Sequence, residues 1–394
     1  MTQRAAILFG LLLMIGAPLA GGWMRGLDPA FFEFPPLTLY IRHAPFSPPV
    51  FALFSALAVG AALMLIRPRW FGFRVRRASE GAAHDPDRFP AGRVEGKAPH
   101  PERAPGADSE FGIRHSPFPS WFWLGLALAV VSWLLAWGRF EGLGPVREHT
   151  FFTLWLGYIL VVDGLVFRRT GTSPASRSAG SFTAAFPVSA ALWWYFEFVN
   201  RFVQNWWYDG VTHFSALHYL AYGTLCFSTV IPAILETADL LASFRWFRLA
   251  YREGPCWRVP ARAGRRAVMA GGIAALVAMA LWPNPLFFLT WLAPLAVLSV
   301  ALAQAGTETP FTAMRRGDYS GLFRLAAAAL VCGFFWEMWN FFSLPKWRYS
   351  VPYVNVLRLF EMPAAGFTGY LPFGPFCWCW WRAAQRLAGR DPER

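Results

Sequence analysis

Charge is what this sequence has least of. Charged residues are 15% of 394 positions, against about 25% in ordinary soluble domains, so a water-facing shell of normal composition cannot be built. Lysine is nearly missing: 34 of the 36 basic residues are Arg, leaving Lys97 and Lys346. With abundant Ala, Gly and Pro, that bias points to a GC-rich bacterial genome. Cysteine is sparse and odd in number. Cys226, Cys256, Cys332, Cys377 and Cys379 lie mostly in or beside apolar runs, which implies no disulfide framework. HExxH, paired DxxxD, GxSxG and P-loop patterns are missing too, so the familiar metal, serine-nucleophile and phosphate chemistries have no support. The CxC of Cys377 and Cys379 has no His or further Cys nearby to complete a tetrahedral metal site. Neither metal nor cofactor is expected.

Long apolar runs are what the sequence does have. About 20 apolar residues cross the hydrocarbon core as a helix, which predicts ten spans near 5–23, 49–66, 121–138, 150–167, 185–205, 214–234, 267–283, 286–303, 323–343 and 352–381. The first could instead be a secretory signal ending near Ala17 or Ala20, but Pro18 is poor at the −3 position for cleavage after Ala20. With the N-terminus inside, inner segments carry 28 of the 36 basic residues and outer segments 7, while Arg358 falls within the last span. That asymmetry places both termini in the cytoplasm of a bacterial inner membrane. It also explains the net charge of +13 without a nucleic-acid partner. Residues 78–118 combine Pro, Gly, Arg and acids with no apolar period, the composition of a disordered cytoplasmic linker.

A self-similarity runs through the C-terminal two thirds at an offset of 140. Glu197, Asn200, Phe202, Trp207, Val211, Leu217, Phe227 and Pro232 recur as Glu337, Asn340, Phe342, Trp347, Val351, Leu357, Phe367 and Pro372. Upstream, FFTLWL at 151–156 is answered by FFLTWL at 287–292, and Pro174 by Pro310, at an offset of 136. A four-residue insertion in the second copy accounts for the shift. The expected fold is therefore an all-α polytopic membrane protein with about ten transmembrane helices. It divides into an N-terminal helix pair (1–66), a basic linker (67–120), a first four-helix repeat (121–236), a basic loop (237–266), a second repeat (267–381) and a cytoplasmic tail (382–394). Each repeat has an even number of spans, so the copies share one orientation, related by an axis along the membrane normal.

Ionisable groups inside apolar spans mark function by default, because leaving them in lipid is costly. A spacing of three puts Glu197 with Asn200, and Glu337 with Asn340, on one helix face. The same offset pairs His218 with Arg358, which predicts Glu197–His218 and Glu337–Arg358 contacts. Glu361 has no counterpart, since Ala221 stands in its place. Asp163 and Glu236 read as interfacial or capping residues. The last span carries Pro363, Gly366, Gly369, Pro372, Gly374 and Pro375, which predicts two half-helices around a break beside a cavity. Trp206, Trp207, Tyr208, Trp347, Tyr349 and Tyr353 stand beside Asp209, His213, Lys346 and Arg348 in the outer segments, a mixture suited to an amphipathic ligand or to an interface position. Glu337, Asn340, Arg358 and Glu361 are the expected main ligand-binding set, Glu197, Asn200 and His218 its counterpart, with Trp207 and Trp347 alongside.

The function these residues suggest is binding, and passage, of a small amphipathic molecule or lipid in a pocket open to the outer face. Membrane lipids are the expected surroundings, and no protein partner is identified. Two alternatives stand beside it. One is a membrane enzyme using Glu337 or Glu361 as general acid or base on a lipid-soluble substrate; the other is a ligand-free assembly subunit.

Overall fold

The computed structural model describes residues 2–36, 40–74, 116–138, 140, 142–257 and 262–390. Most of the 78–118 linker lies outside the described residues, and so does the end of the cytoplasmic tail. The longer helices are α1 (Gln3–Arg25), α2 (Pro48–Ile66), α3 (Ser120–Trp137), α4 (Thr150–Thr170), α5 (Ala179–Val203), α6 (Ala216–Phe227), α7 (Val230–Ala242), α8 (Arg262–Leu281), α9 (Leu289–Gln304), α10 (Ser320–Phe341) and α11 (Tyr370–Leu387). Among the described residues, seven helical stretches are long and apolar enough to cross a membrane: α1, α2, α3, α4, α6 with α7 as one unit, α8 and α10. The others fall short for visible reasons. α9 has only 16 residues. α5 gives positions to Glu197, Asn200 and Arg201, and α11 to Arg382, Gln385 and Arg386.

Two expectations about the fourth spans are corrected. The first does not stop at 234 but continues to Ala242, interrupted at Ser228 and Thr229, where Ser189 Oγ on α5 accepts from Ile231 N at 2.9 Å and donates to Phe227 O at 2.7 Å. The last span is not two half-helices. Only α11 is an α-helix, and it takes in Pro372 and Pro375; the segment before it holds a small hairpin, Arg358–Leu359 against Met362–Pro363, and a 3-10 turn at Ala364–Gly369. Tyr353, Leu357 and Phe360 in this segment have φ of 62°, 50° and 59°. Side chains there crowd the backbone, at about 1–3 kcal/mol each.

Helix packing uses small residues where backbones meet, as expected when lipid supplies no hydrophobic drive. α3 lies on α4 through Gly125 and Gly157: a methyl on Gly125 would sit 2.9 Å from Gly157 O, and one on Gly157 would sit 2.5 Å from Ala129 N. Gly272 on α8 fits against Val297 on α9 in the same way. α1 packs on α8 and α9, with Gly10 against Ala301, whereas α2 packs on the 364–369 turn and buries none of its residues. The two N-terminal helices thus attach to the C-terminal half rather than chiefly to each other. One apolar cluster runs through the bundle, including Ile7, Trp155, Leu192, Ile231, Leu276 and Phe373, all 1% exposed or less.

At one end of the bundle the chain leaves α5 and α10 as short strands. Trp206–Asp209 (β1) and Lys346–Tyr349 (β2) pair antiparallel, with Trp206 opposite Tyr349 and Asp209 opposite Lys346. Aromatic residues favour this pleated geometry. The connector between α1 and α2 is stitched to the same end: Ser350 Oγ donates to Ile41 O at 2.8 Å, and His43 meets Asn284 and Gln204 O, each at 3.0 Å.

Candidate functional site: matched polar clamps around an aromatic chamber

The two asparagines hold the strands. Asn200, buried near the end of α5, donates from Nδ2 to Trp206 O at 2.8 Å and accepts at Oδ1 from Asn205 N at 2.8 Å and Trp206 N at 3.4 Å. Asn340 on α10 donates to Trp347 O at 2.7 Å and accepts from Trp347 N at 2.9 Å. An amide suits this task because it presents donor and acceptor side by side, matching the C=O and N–H of one peptide strand.

The glutamates one turn earlier anchor the strand side chains. Glu197 Oε1 accepts from Tyr208 Oη at 2.6 Å and from the indole nitrogens of Trp193 and Trp206, both at 3.0 Å. Glu337 Oε1 accepts from Tyr349 Oη at 2.7 Å and Tyr370 Oη at 2.9 Å. Trp347 lies beside the same carboxyl, but neither its Nε1 nor Glu337 Oε2 completes a hydrogen bond. Both acids face protein rather than lipid, with Glu197 4% and Glu337 0% exposed.

Between the two clamps lies a chamber of about 150 Å³. Its walls are rings: Trp193, Trp206, Trp291, Trp336 and Phe373, with Tyr208, Tyr349 and Tyr370 presenting their bodies while their hydroxyls bond to the glutamates behind them. Four polar or charged residues, Arg147, Glu148, Lys346 and Tyr222, also line it. Glu148 meets His213 at 3.1 Å, and Lys346 Nζ donates to Glu361 Oε1 at 2.5 Å and to Phe341 O at 3.2 Å. A second cavity, about 300 Å³ and more polar, lies on the far face of β1 and is lined by Arg25, Asp28, Glu197, Asn200, Arg201 and Trp207 among others. Trp206 and Tyr208 line both, so β1 is the wall between them.

The nine sequence-derived residues therefore divide. Trp347 lines the chamber, and Glu197, Asn200 and Trp207 line the neighbouring cavity. Glu337 and Asn340 stand behind the chamber wall, bonded to its tyrosines and to β2. Glu361 is buried in an ion pair with Lys346, with Arg358 Nη1 a further 3.7 Å contact. The two predicted inter-helix contacts are not the ones made. His218 stacks on His149, rings 5° from parallel, with Nε2 to Nε2 2.8 Å, and Glu197 is instead served by two indoles and Tyr208. Arg358 is half exposed in the small hairpin and donates to Tyr349 O at 3.2 Å and Asn355 Oδ1 at 3.0 Å rather than to Glu337. The reason is common to both: tyrosine and tryptophan donors reach the carboxylates first, and Arg358 lies in a two-residue strand whereas His218 lies on a helix.

Trp193, Tyr370, Arg147 and His149 escaped the sequence reading. A shift of register would have exposed part of the pattern. Trp206-Trp207-Tyr208 aligns with Trp347-Arg348-Tyr349 at an offset of 141, one more than the helices use, because Asn200 grips the peptide groups of Trp206, six residues on, whereas Asn340 grips those of Trp347, seven residues on. Asp163, read as a cap, accepts at Oδ2 from Ala175 N at 3.0 Å at the start of the short helix Pro174–Arg177, and at Oδ1 from Trp121 Nε1 at 2.8 Å.

What the fold and site define is a class: an all-α multi-pass membrane protein whose polar residues hold an aromatic interior in place. No protein family, curated protein or solved structure matches the chain.

Proposed function

We propose that this is a bacterial inner-membrane protein, with both termini cytoplasmic, that binds a small amphipathic molecule or lipid in the aromatic chamber and passes it along from the outer face. The chamber carries this reading: a lining made mostly of aromatic rings, with Arg147, Glu148 and Lys346 among them, forms a site for a molecule with an apolar body and a polar end. In this reading the carboxylates act indirectly, since Glu197 and Glu337 orient Tyr208, Tyr349 and Tyr370, and the tyrosines touch the ligand.

The same proposal takes the body as a duplicated four-helix unit, 121–236 and 267–381. Matched details support it. Ser173 and Thr309 close equivalent capping boxes before Pro174 and Pro310. α7 and α11 start 140 residues apart, each with Pro third in the helix at Pro232 and Pro372. The Asn200 and Asn340 clamps grip equivalent peptide groups.

The test is mass spectrometry of small molecules retained by the full-length protein purified in a mild neutral detergent, compared with Gly223→Phe. Gly223 borders the chamber on α6, and a methyl there makes only ordinary side-chain contacts of 3.5 Å or more, so a larger side chain can start from this position without striking backbone. A retained amphipath present in the wild type and lost from the folded variant is the expected result. Retention unchanged by a ring at this position, or no retained molecule at all, would end the proposal.

A further inference from the structure

We infer that the molecule held in the chamber carries an anionic head, a carboxylate or phosphate, and that Arg147 receives it. The inference rests on the chamber being the binding site and adds the chemistry of its occupant. Each charged residue lining the chamber was followed to its partner. Lys346 is matched by Glu361 at 2.5 Å, and Glu148 by His213 at 3.1 Å. Arg147 is the exception: among the described residues no carboxylate lies within salt-bridge distance of its guanidinium, and its buried Nε has no hydrogen-bond partner. Tyr222, also lining the chamber, has a buried hydroxyl beside Cys226 that completes no hydrogen bond.

An arginine stays charged whatever its surroundings, so a partly buried guanidinium without a counter-ion is an open demand for acceptor oxygens. The remaining polar groups do not compete for that role. Tyr208, Tyr349 and Tyr370 already give their protons to Glu197 and Glu337. The occupant must therefore bring acceptors to the Arg147 side and an apolar portion to the tryptophans. A single-chain amphipath with a carboxylate or phosphate end has that shape: the fork of the guanidinium matches two oxygens of either group, and the chain or ring lies among Trp193, Trp206, Trp291 and Trp336. Position supports this choice. Arg147 ends the short helix Gly144–Arg147, just before α4, at the strand end of the bundle, where a head group can stay near the interface while the tail enters the protein.

The experiment uses bromine quenching of tryptophan fluorescence on the full-length protein in neutral detergent. Five of the 21 tryptophans line the chamber, so an occupant bearing bromine removes a saturable fraction of the signal. Three probes share one dibrominated chain and differ at the head: carboxylate, phosphate monoester and neutral alcohol, at a pH where the acids are ionised. At least one anionic probe should saturate the wild type at about tenfold lower concentration than the alcohol, the scale of one charge-assisted hydrogen bond. Arg147→Gln should erase that advantage and Arg147→Lys should keep part of it, both variants eluting as folded protein. Whichever anion binds more tightly identifies the head-group source, a fatty acid or a phosphorylated lipid. Equal saturation by acid and alcohol in the wild type, abolished by Gly223→Phe, would overturn the anionic head and leave the chamber as a binding site. An anionic advantage that survives Arg147→Gln would overturn the role of Arg147. No saturable quenching by any probe would remove both the inference and the binding function beneath it.

Discussion

Removing the Asn200 side chain should destabilise the protein more than removing Asn340, and the two losses should not add. Asn200→Ala strands three backbone groups, Trp206 O, Asn205 N and Trp206 N, in a buried setting. Asn340→Ala strands two, Trp347 O and Trp347 N. A buried polar group left without a partner costs about 1–3 kcal/mol. The strand end can relax and admit water, so the lower end of that range applies, about 1 kcal/mol per group, giving about 3 kcal/mol for Asn200→Ala and about 2 kcal/mol for Asn340→Ala. The two sites share one ladder, because the strands they grip pair with each other from Trp206–Tyr349 to Asp209–Lys346. Once one strand is loose, the other clamp holds less, and the double variant should fall short of the sum by about 0.5–1 kcal/mol. Reversible unfolding in mixed micelles of rising denaturing-detergent content, followed by tryptophan emission, yields all four free energies of the cycle. Single losses below about 0.5 kcal/mol, or a strictly additive double variant, would refute the view that these amides hold one shared element.

Three further outcomes follow from the packing. Gly157→Leu should cost about 3 kcal/mol or separate α3 from α4, since even a methyl would stand 2.5 Å from Ala129 N, whereas Gly16→Leu on α1, with nothing within 4 Å, should be neutral; the same unfolding assay compares them. Lys346→Met should cost about 3 kcal/mol by leaving the buried Glu361 to the 3.7 Å contact with Arg358, and adding Glu361→Met should restore most of the loss in denaturation midpoint. Two hydrogen bonds from Arg316, at 3.1 and 3.3 Å, hold the Glu308 carboxyl below the usual carboxylate range. Its stabilisation is present above the ordinary carboxylate pKa and lost as pH falls through the lowered value. Both side chains are 64% exposed, so the difference in melting temperature between wild type and Arg316→Gln should be small near neutrality, screened by salt, and absent in strong acid.

Helices were the legible part of this fold, because a bilayer demands long apolar runs and a run of 18 or more residues advertises itself locally. α5 and α11 were legible for a different reason, as runs interrupted by polar residues that the bundle interior can partner. Partners were not legible. Glu197 and Glu337 stood out by their depth, yet what satisfies them are Tyr208, Trp206 and Tyr349 on four-residue strands, and Tyr370 on the next helix, 33 residues after Glu337. A strand of four residues carries almost no periodic signal, and here its existence depends on a partner 140 residues away. The cation pairs inferred from equal spacing failed because equal spacing in sequence presumes equal secondary structure. His218 lies on α6, whereas Arg358 lies in a two-residue strand.

That difference bears on how the chamber works. Part of its wall is helical, with Tyr219, Tyr222 and Cys226 on α6. Another part is irregular, with Met362, Gly366 and Gly369 lining the chamber in a segment that follows three left-handed non-glycine residues, Tyr353, Leu357 and Phe360. Such a segment lacks the regular hydrogen bonds of a helix, which within a bilayer is tolerated only where protein or a cavity takes them over. Matched Asn and Glu clamps keep the two strands in register, so the asymmetry is confined to the wall beyond them. Lys346 belongs to β2 and Glu361 to the turn of the small hairpin, so their buried ion pair ties the irregular segment to the strand that Asn340 holds.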